Sequence, residues 1–356
     1  MNTKHENEQN TAPEDTALRT ARRTFLRLGL ALFVMVALQY ALGYGLSYLS
    51  ARFFPEFAAT EAYYWLSHCV IMYLISMPAA WLILRPAPKA KLGNGGVKLG
   101  GYGLFAAVLI SIGLMQLGNY VGNFVNNTIS IISGRASYSG LDSTLMESNP
   151  LVVLLVVVVI GPVAEELIFR RLLIDRLAVF GAPTAAVMSA LIFALVHGNL
   201  QQYFYAFALG LFFAFIYLRT GNIKNSIILH MIMNFVGGFA PSMLLRLLGG
   251  TDGLSTLVQK IAASGTEEGM AEYMAYAGGL YGPLMAIMAW SLTLMALGTV
   301  GLGMLIASRR RLNFAACSPA EVKIPRARRG EVMFLNPGML LFVAAMAAVL
   351  AVSFFA

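Results

Sequence analysis

The sequence contains few charged residues and almost no cysteine. Only 12% of its 356 residues are Asp, Glu, Lys or Arg, whereas an average soluble domain has about 25%. So few charges cannot cover the surface of a soluble protein, and 58% of the residues are hydrophobic. The two cysteines, Cys69 in an apolar run and Cys317 in a basic segment, predict neither a disulfide nor a metal cluster.

What the sequence has instead is a series of long apolar runs. A run of about 18 or more apolar residues can cross a hydrocarbon core of roughly 30 Å as a helix. The runs predict an all-α, polytopic transmembrane helix bundle of about nine spans, with membrane lipids as its surroundings. The predicted spans are 25–49, 62–84, 99–123, 151–174, 183–199, 201–218, 222–246, 279–306 and 338–356.

The net charge of +8 is distributed as expected for a membrane orientation signal. If the N-terminus is cytoplasmic, all 25 basic residues except Arg52, Arg135, Arg246 and Lys260 fall in inner segments. The positive-inside rule therefore predicts a cytoplasmic N-terminus and an outside C-terminus, in a bacterial inner membrane. Nucleic acid is not needed as a partner to explain the charge.

Ionisable residues inside the spans are the candidates for function, because they are costly at membrane depth. They are few, and we add the amide residue Asn234, which shares a helix face with His230. The set is Glu165, Glu166 and Arg170 in the fourth span, His197 at the end of the fifth, His230 and Asn234 in the seventh, and a lone His68 in the second. We interpret His68 as structural.

Helical spacing relates these residues to one another. Glu166 and Arg170 lie at i and i+4 and can pair, whereas Glu165 points about 100° away and needs a partner on another helix. About 17 residues separate Glu165 from the turn before the fifth span, and about 15 separate that turn from His197. An antiparallel hairpin would therefore bring Glu165 and His197 level with each other.

From spacing alone three interpretations stay open. The residues could form a hydrolase site, a proton or ion relay in a coupled transporter, or hydrogen bonds that only hold the helices together. The topology also raises a difficulty. It places His197 near the outer end of its span, whereas His230 lies two to three turns from the inner end of another span. The two histidines would then lie at different depths, unless the fourth and fifth spans tilt or protrude relative to the seventh.

Three motifs resemble those of one known family. Glu165-Glu166-x-x-x-Arg170, Phe193-x-x-x-His197 and His230-x-x-x-Asn234 are similar, in order, to the motifs of the CAAX prenyl protease and bacteriocin-processing family of intramembrane peptidases. The resemblance implies that Glu165 activates water with help from His197. It implies that His230 and Asn234 stabilise the oxyanion, and that Glu166, Arg170 and Phe193 support the site.

The resemblance also implies a partner and, in one version, a cofactor. The partner would be a peptide or membrane-protein substrate, and prenylated proteins are not carried over because nothing in the sequence indicates them. Since the family is often described as metallopeptidases, zinc or another divalent metal could bind Glu165, His197 and His230. A metal-free glutamate mechanism is the alternative, and a non-catalytic immunity or scaffold protein is a third.

Six segments follow from these predictions. They are a disordered cytoplasmic tail at 1–23, N-terminal transmembrane helices at 24–133, an outer loop at 134–149, a catalytic transmembrane core at 150–246, an outer loop at 247–278, and C-terminal transmembrane helices with a basic cytoplasmic loop at 279–356.

The third span carries an additional polar stripe. Gln116, Asn119, Asn123 and Asn127 recur at steps of three or four residues, which places them on one helix face. The stripe could line a water path to the site, or it could form hydrogen bonds between helices.

Overall fold

The regular secondary structure of the described chain consists of helices. The structure, a computed structural model, describes residues 3–90, 92, 97–134, 143–314, 317 and 320–355, with the side chains of 3–14, 143, 251, 254, 354 and 355 left aside. Within these ranges there is no β-strand. The predicted polytopic helix bundle is therefore confirmed.

Twelve helices make up most of the bundle. They are α1 (Thr3–Phe53), α2 (Glu61–Leu84), α3 (Gly101–Ser133), α4 (Pro150–Phe180), α5 (Ala182–Val196), α6 (Leu200–Thr220), α7 (Ile223–Arg246), α8 (Gly250–Ala263), α9 (Glu267–Gly279), α10 (Tyr281–Arg311), α11 (Arg326–Phe334) and α12 (Pro337–Phe355).

The number of spans is close to the predicted nine. Among the described residues, seven helices are long and apolar enough to cross a membrane: α1, α2, α3, α4, α6, α7 and α10. The pair α11 and α12, bent by 57° at a short break, forms an eighth if it is one span. The remaining predicted span, 183–199, corresponds to α5, which has only 15 residues. Nine is therefore approximate.

From Thr3 onward, the segment that we predicted as a disordered tail, 1–23, is helical, and residues 1 and 2 lie outside the described residues. Helix α1 begins at Thr3 and continues without a break into the first apolar span. Ala21 is fully buried, and Leu18 packs against the main core cluster. Extending an existing helix costs far less than nucleating a new one, so the packed span carries the helix back into the polar segment.

Both segments predicted as outer loops contain helices. In the second, residues 247–278 form α8 and α9. In the first, the described part from residue 143 includes a short helix, Ser143–Glu147. This part is tied to two spans, because Trp65 Nε1 donates to Ser148 Oγ at 3.0 Å and Arg246 donates to the Ser148 carbonyl at 2.8 Å.

Helices α4 to α7 lie between two groups of packed helices, one around α1 and one around α3. Helix α1 packs against α12 and α2, and its buried face joins the large core cluster that contains Phe169 and Phe193. Helix α3 packs against α6 and α10. It approaches α10 so closely that a Cβ on Gly113 would lie 2.6 Å from the Gly298 carbonyl oxygen. Small residues permit this approach, as is usual between membrane helices.

Candidate active site

The two adjacent glutamates lie in a helix that departs from regular α geometry. In α4, the α-helical turn Gly161–Glu166 lies between two π-helical segments, Leu154–Ile160 and Leu167–Ile174. Pro162 has no N–H to donate to the preceding turn, which favours such a break. Wider helical turns of this kind are rare and occur often at functional sites. The geometry therefore marks this turn as a candidate site.

Glu166 is the centre of a fully buried charge network. Its Oε2 lies 3.0 Å from Arg170 Nε, and its Oε1 lies 3.0 Å from His230 Nδ1. Glu166 and Arg170 are both 0% exposed. The hydroxyl of Ser226, four residues before His230, also lies within hydrogen-bonding reach of Glu166. The predicted i, i+4 pair is thus present, and it is coupled to a histidine on another helix.

Arg170 is held from its other side by residues of α5. Its Nη1 donates to Ser189 Oγ at 2.9 Å, and Ser189 Oγ donates to the Phe169 carbonyl at 2.8 Å. The guanidinium also lies over the Phe193 ring, 5.2 Å from its centroid. Sequence reasoning missed both Ser189 and Ser226. The i, i+4 spacing of Ser226 and His230 is a signal that could have indicated the latter contact.

The contact of His230 Nδ1 with Glu166 leaves Nε2 as the nitrogen that faces Glu165. A buried carboxylate accepts hydrogen bonds, so Nδ1 of a neutral His230 carries the proton and Nε2 carries the lone pair. Nε2 lies 3.8 Å from Glu165 Oε2. That distance is too long for a direct hydrogen bond and leaves the two groups placed to share a water molecule.

His197 lies at the C-terminal end of α5, beside the same aromatic ring. Its Nδ1 lies 2.7 Å from the Phe193 carbonyl oxygen, which can only accept, so Nε2 of neutral His197 also has a free lone pair. The Phe193 ring centroid is 4.9 Å from the His197 ring and 5.6 Å from the His230 ring. His197 interacts electrostatically with Glu165.

The length of α5 removes the difficulty with depth. A 15-residue helix is only about 22 Å long, shorter than a hydrocarbon core of roughly 30 Å. Helix α5 is therefore too short for a full span, and Phe193, one turn before its end, contacts His230 in the middle of α7 with ring centroids 5.6 Å apart. No protrusion of spans is required to bring His197 near His230.

Asn234 is the last residue before a third π-helical segment, Phe235–Phe239. Its Nδ2 donates a hydrogen bond to the Val157 carbonyl at 2.8 Å. Val157 lies in the π-helical part of α4, so Asn234 ties the two irregular helices together. A carboxamide has two N–H donors, and this contact uses one of them.

Tyr73 is a further neighbour that sequence reasoning missed. It interacts electrostatically with Glu165, whose side chain is 18% exposed. Gly161 leaves room for this approach, because a Cβ there would lie 3.1 Å from the Tyr73 hydroxyl. His68 is in ring contact with Tyr64, Trp65 and Tyr73.

A cavity of about 510 Å³ opens onto the site. His197, His230 and Asn234 line it, whereas Glu165 and Glu166 are not among its lining residues. Asn119 and Asn123 of the polar stripe also line it, and Asn123 Oδ1 accepts a hydrogen bond from Gln201 at 2.7 Å. Asn123 thus makes the predicted hydrogen bond between helices, while the water path stays a prediction. Gln116 instead faces Gly298 on α10, and Asn127 is exposed.

Glu165, His197 and His230 were the predicted ligands of a zinc ion, and their arrangement can be compared with that of a zinc site. Zinc sites use three or four protein ligands. Across the described ranges, no three His, Cys, Asp or Glu side chains are grouped so that they could hold a metal ion. Glu165, His197 and His230 as placed do not fit a bound metal, so no chemical step below uses one.

Comparison with known proteins agrees with the motifs. The family model "Type II CAAX prenyl endopeptidase Rce1-like" matches residues 147–236. The Bacillus subtilis (strain 168) protein named "Putative membrane peptidase YdiL" is 30% identical over 182 residues, which cover 46% of this chain and 67% of that protein. The chain belongs to the CAAX prenyl protease and bacteriocin-processing family.

A second relative is similar to a shorter part of the chain. "UPF0177 protein YxdF" of Lactococcus lactis subsp. lactis (strain IL1403) is 28% identical over 127 residues, covering 35% of this chain and 71% of that protein. No solved structure matches the chain. The family match runs from residue 147 to residue 236 and so covers α4, α5, α6 and α7 up to Val236. Of the residues discussed above as candidates for function, His68 and Tyr73 lie outside the match.

Proposed function

We propose that this membrane protein is an intramembrane endopeptidase that hydrolyses peptide bonds of a membrane-associated protein or peptide. The observation that carries the proposal is the 3.8 Å separation of Glu165 Oε2 and His230 Nε2, two proton acceptors beside a cavity. A water molecule between them would be held by both. The test is cleavage of a peptide library by the purified protein in liposomes, compared with Glu165→Gln.

In the proposed reaction Glu165 is the general base. It takes one proton from the water, and the water oxygen attacks the carbonyl carbon of the peptide bond to give a tetrahedral oxyanion. The oxyanion collapses, the C–N bond breaks, and the proton on Glu165 passes to the leaving amine. One water is consumed, and its atoms end on the new carboxyl and amino groups. We assign His197, at the end of the adjacent helix, to helping Glu165 position the water.

The structure favours a division of roles between His230 and Asn234. With Nδ1 facing Glu166, His230 can donate from Nε2 only when it is doubly protonated. We therefore assign neutral His230 to orienting the water. The second N–H of Asn234, which is not needed for the bond to Val157, is assigned to the oxyanion.

Substitution of Asn234 tests that assignment. Removing one oxyanion donor typically costs about 10²–10³-fold in kcat, and we expect Asn234→Ala to show this loss with little change in KM. The Val157 carbonyl also loses its partner, so the variant should be less stable by about 1–3 kcal/mol. Kinetics and denaturation of the same detergent preparation measure both. A variant with full kcat would remove Asn234 from the reaction.

The metal question has a direct experimental answer. Because the carboxylate and the two imidazoles do not group as metal ligands, we expect cleavage to persist after dialysis against a strong chelator. Purified protein should contain zinc far below one equivalent by elemental analysis. Loss of activity on chelation, with recovery when zinc is returned, would establish the metallopeptidase alternative.

A further inference from the structure

A second cavity, of about 390 Å³, lies near the C-terminal ends of α2, α4 and α6. The segment after α2 is held against α4, because the Ala90 N–H donates to the Asp175 carbonyl at 2.7 Å and Arg176 donates to the Leu84 carbonyl at 3.2 Å. Among the described residues, this cavity shares no lining residue with the active-site cavity. Its polar wall consists of Lys89, Arg171, Asp175 and Tyr217.

The cations around this cavity outnumber the carboxylate that they contact. Asp175 Oδ2 lies 3.2 Å from Lys89 Nζ and 3.8 Å from Arg171 Nη1. Tyr217 donates a hydrogen bond to Asp175 Oδ1 at 2.7 Å. Arg176 adds a third positive charge that interacts with Asp175, and its guanidinium donates to three backbone carbonyls, which carry no formal charge. Two positive charges are therefore in excess within this group, so an anion that enters the cavity is attracted.

Lys89 and Arg171 can contact a ligand while Asp175 holds them in place. Their side chains are 49% and 48% exposed, whereas that of Asp175 is 1% exposed. An ammonium group has three N–H donors and a guanidinium group has five, which is more than one carboxylate can use when it also accepts from a tyrosine. The remaining donors of the two cations are the groups that an entering anion meets.

We infer that this cavity binds the phosphate group of an anionic phospholipid. Guanidinium and ammonium groups are common partners of phosphate, the first through paired hydrogen bonds and the second as a point charge. The positive-inside rule predicts that this end of the bundle lies at the inner membrane face, where anionic lipids give a negative surface and basic pockets between spans bind lipid head groups. The uncharged Ala90, Leu92 and Gly221 also line the cavity, and they suit the glycerol beside the phosphate.

Titration of the full-length protein in detergent with phosphatidylglycerol tests the inference, and phosphatidylcholine is titrated separately as the reference. We expect phosphatidylglycerol to raise the unfolding midpoint to a plateau, because a ligand that binds only the folded protein stabilises it. Phosphatidylcholine should have a much smaller effect, since its own choline neutralises its phosphate. Lys89→Gln and Arg171→Gln should each weaken the Kd for phosphatidylglycerol about fivefold, because each removes one of the two cations that contact the phosphate.

Two substitutions outside the cavity are the matched controls. Lys98→Gln and Arg310→Gln each remove one positive charge from a segment predicted to be cytoplasmic, at an exposed residue that does not line the cavity. Both should keep the wild-type Kd. Without added lipid all four variants should unfold almost as the wild type does, because each single substitution at the cavity leaves Asp175 with one of its two cations.

Inorganic phosphate, titrated alone, separates a lipid from a free anion as the source of the phosphate group. Stabilisation by inorganic phosphate that is weakened in Lys89→Gln and Arg171→Gln would confirm a phosphate site but overturn the phospholipid as its ligand. Equal weakening in all four variants would show that phosphatidylglycerol responds to general surface charge, and an unchanged Kd in both cavity variants would overturn the site. These results are independent of peptide cleavage, so they leave the proposed endopeptidase untouched.

Discussion

Glu165→Gln is expected to lower peptide cleavage by about 10²–10⁴-fold while the protein remains folded. Glutamine keeps the shape of the side chain but cannot take a proton from water, and a general base typically contributes that much to the rate. Folding should survive because the Glu165 side chain is partly exposed and lies 3.8 Å from His230, too far for a direct hydrogen bond. Initial rates in liposomes and thermal unfolding in detergent measure the two properties.

The control for Glu165→Gln is the same substitution at an exposed glutamate. Glu268, in the first turn of α9, lies in the 247–278 segment and is exposed. Glu268→Gln should therefore cleave at the wild-type rate. A Glu165→Gln protein with more than about a tenth of wild-type activity would show that another group activates the water.

Arg170→Ala is expected to have the largest effect on stability. It leaves the Glu166 carboxylate fully buried beside His230 without its cation, and breaking a buried ion pair typically costs about 3–5 kcal/mol. Ser189 also loses its contact with the guanidinium. We expect a lower yield of folded protein, a lower midpoint of denaturation and loss of cleavage.

The neighbouring arginine provides a matched comparison. Arg171 has a half-exposed side chain that lies 3.8 Å from the buried Asp175. Lys89 lies 3.2 Å from the same carboxylate, so Arg171→Ala leaves Asp175 with a cation, and it does not create the unpaired buried charge that makes breaking a buried pair costly. Arg171→Ala should therefore unfold almost as the wild type does. If Arg170→Ala and Arg171→Ala have the same midpoint, the buried pair is not a structural element.

A double substitution separates stability from chemistry at this pair. Replacing a buried ion pair with neutral residues of similar volume is often tolerated, so Glu166→Gln with Arg170→Met should recover much of the stability lost in Arg170→Ala. Cleavage should stay low, because His230 no longer donates to a carboxylate and its Nε2 is no longer fixed as an acceptor. Recovery of full activity would show that Glu166 does not orient His230.

Contacts within one helix were predictable from the sequence, and contacts between helices were not. The spacing of Glu166 and Arg170 predicts their pairing, because positions i and i+4 of a helix are neighbours in any surroundings. The approach of His230 to Glu166, by contrast, depends on how α4 and α7 are rotated against each other. Both helices contain π-helical segments, which change that rotation and which apolar periodicity does not reveal.

Two predicted segments, the span 183–199 and the outer loop 247–278, differ from the structure because hydropathy alone does not locate helices. The apolar run at 183–199 is long enough to be taken for a span, but the turn at His197 and Gly198 ends α5 early. Hydropathy reports which residues tolerate lipid, not where a helix ends inside a bundle. The helices α8 and α9 were missed because residues 247–278 are too polar to be predicted as spans, and polarity alone does not distinguish a loop from helices outside the spans.

One measurement tests the central claim most directly. Wild-type protein and Glu165→Gln are placed in sealed liposomes with membrane-associated peptides, and product termini are followed by mass spectrometry while pH-driven solute flux is recorded in the same vesicles. The account predicts new amino and carboxyl termini with the wild type, none with Glu165→Gln, and no flux with either. Glu165-dependent flux without any cleaved peptide would contradict it and establish a transporter.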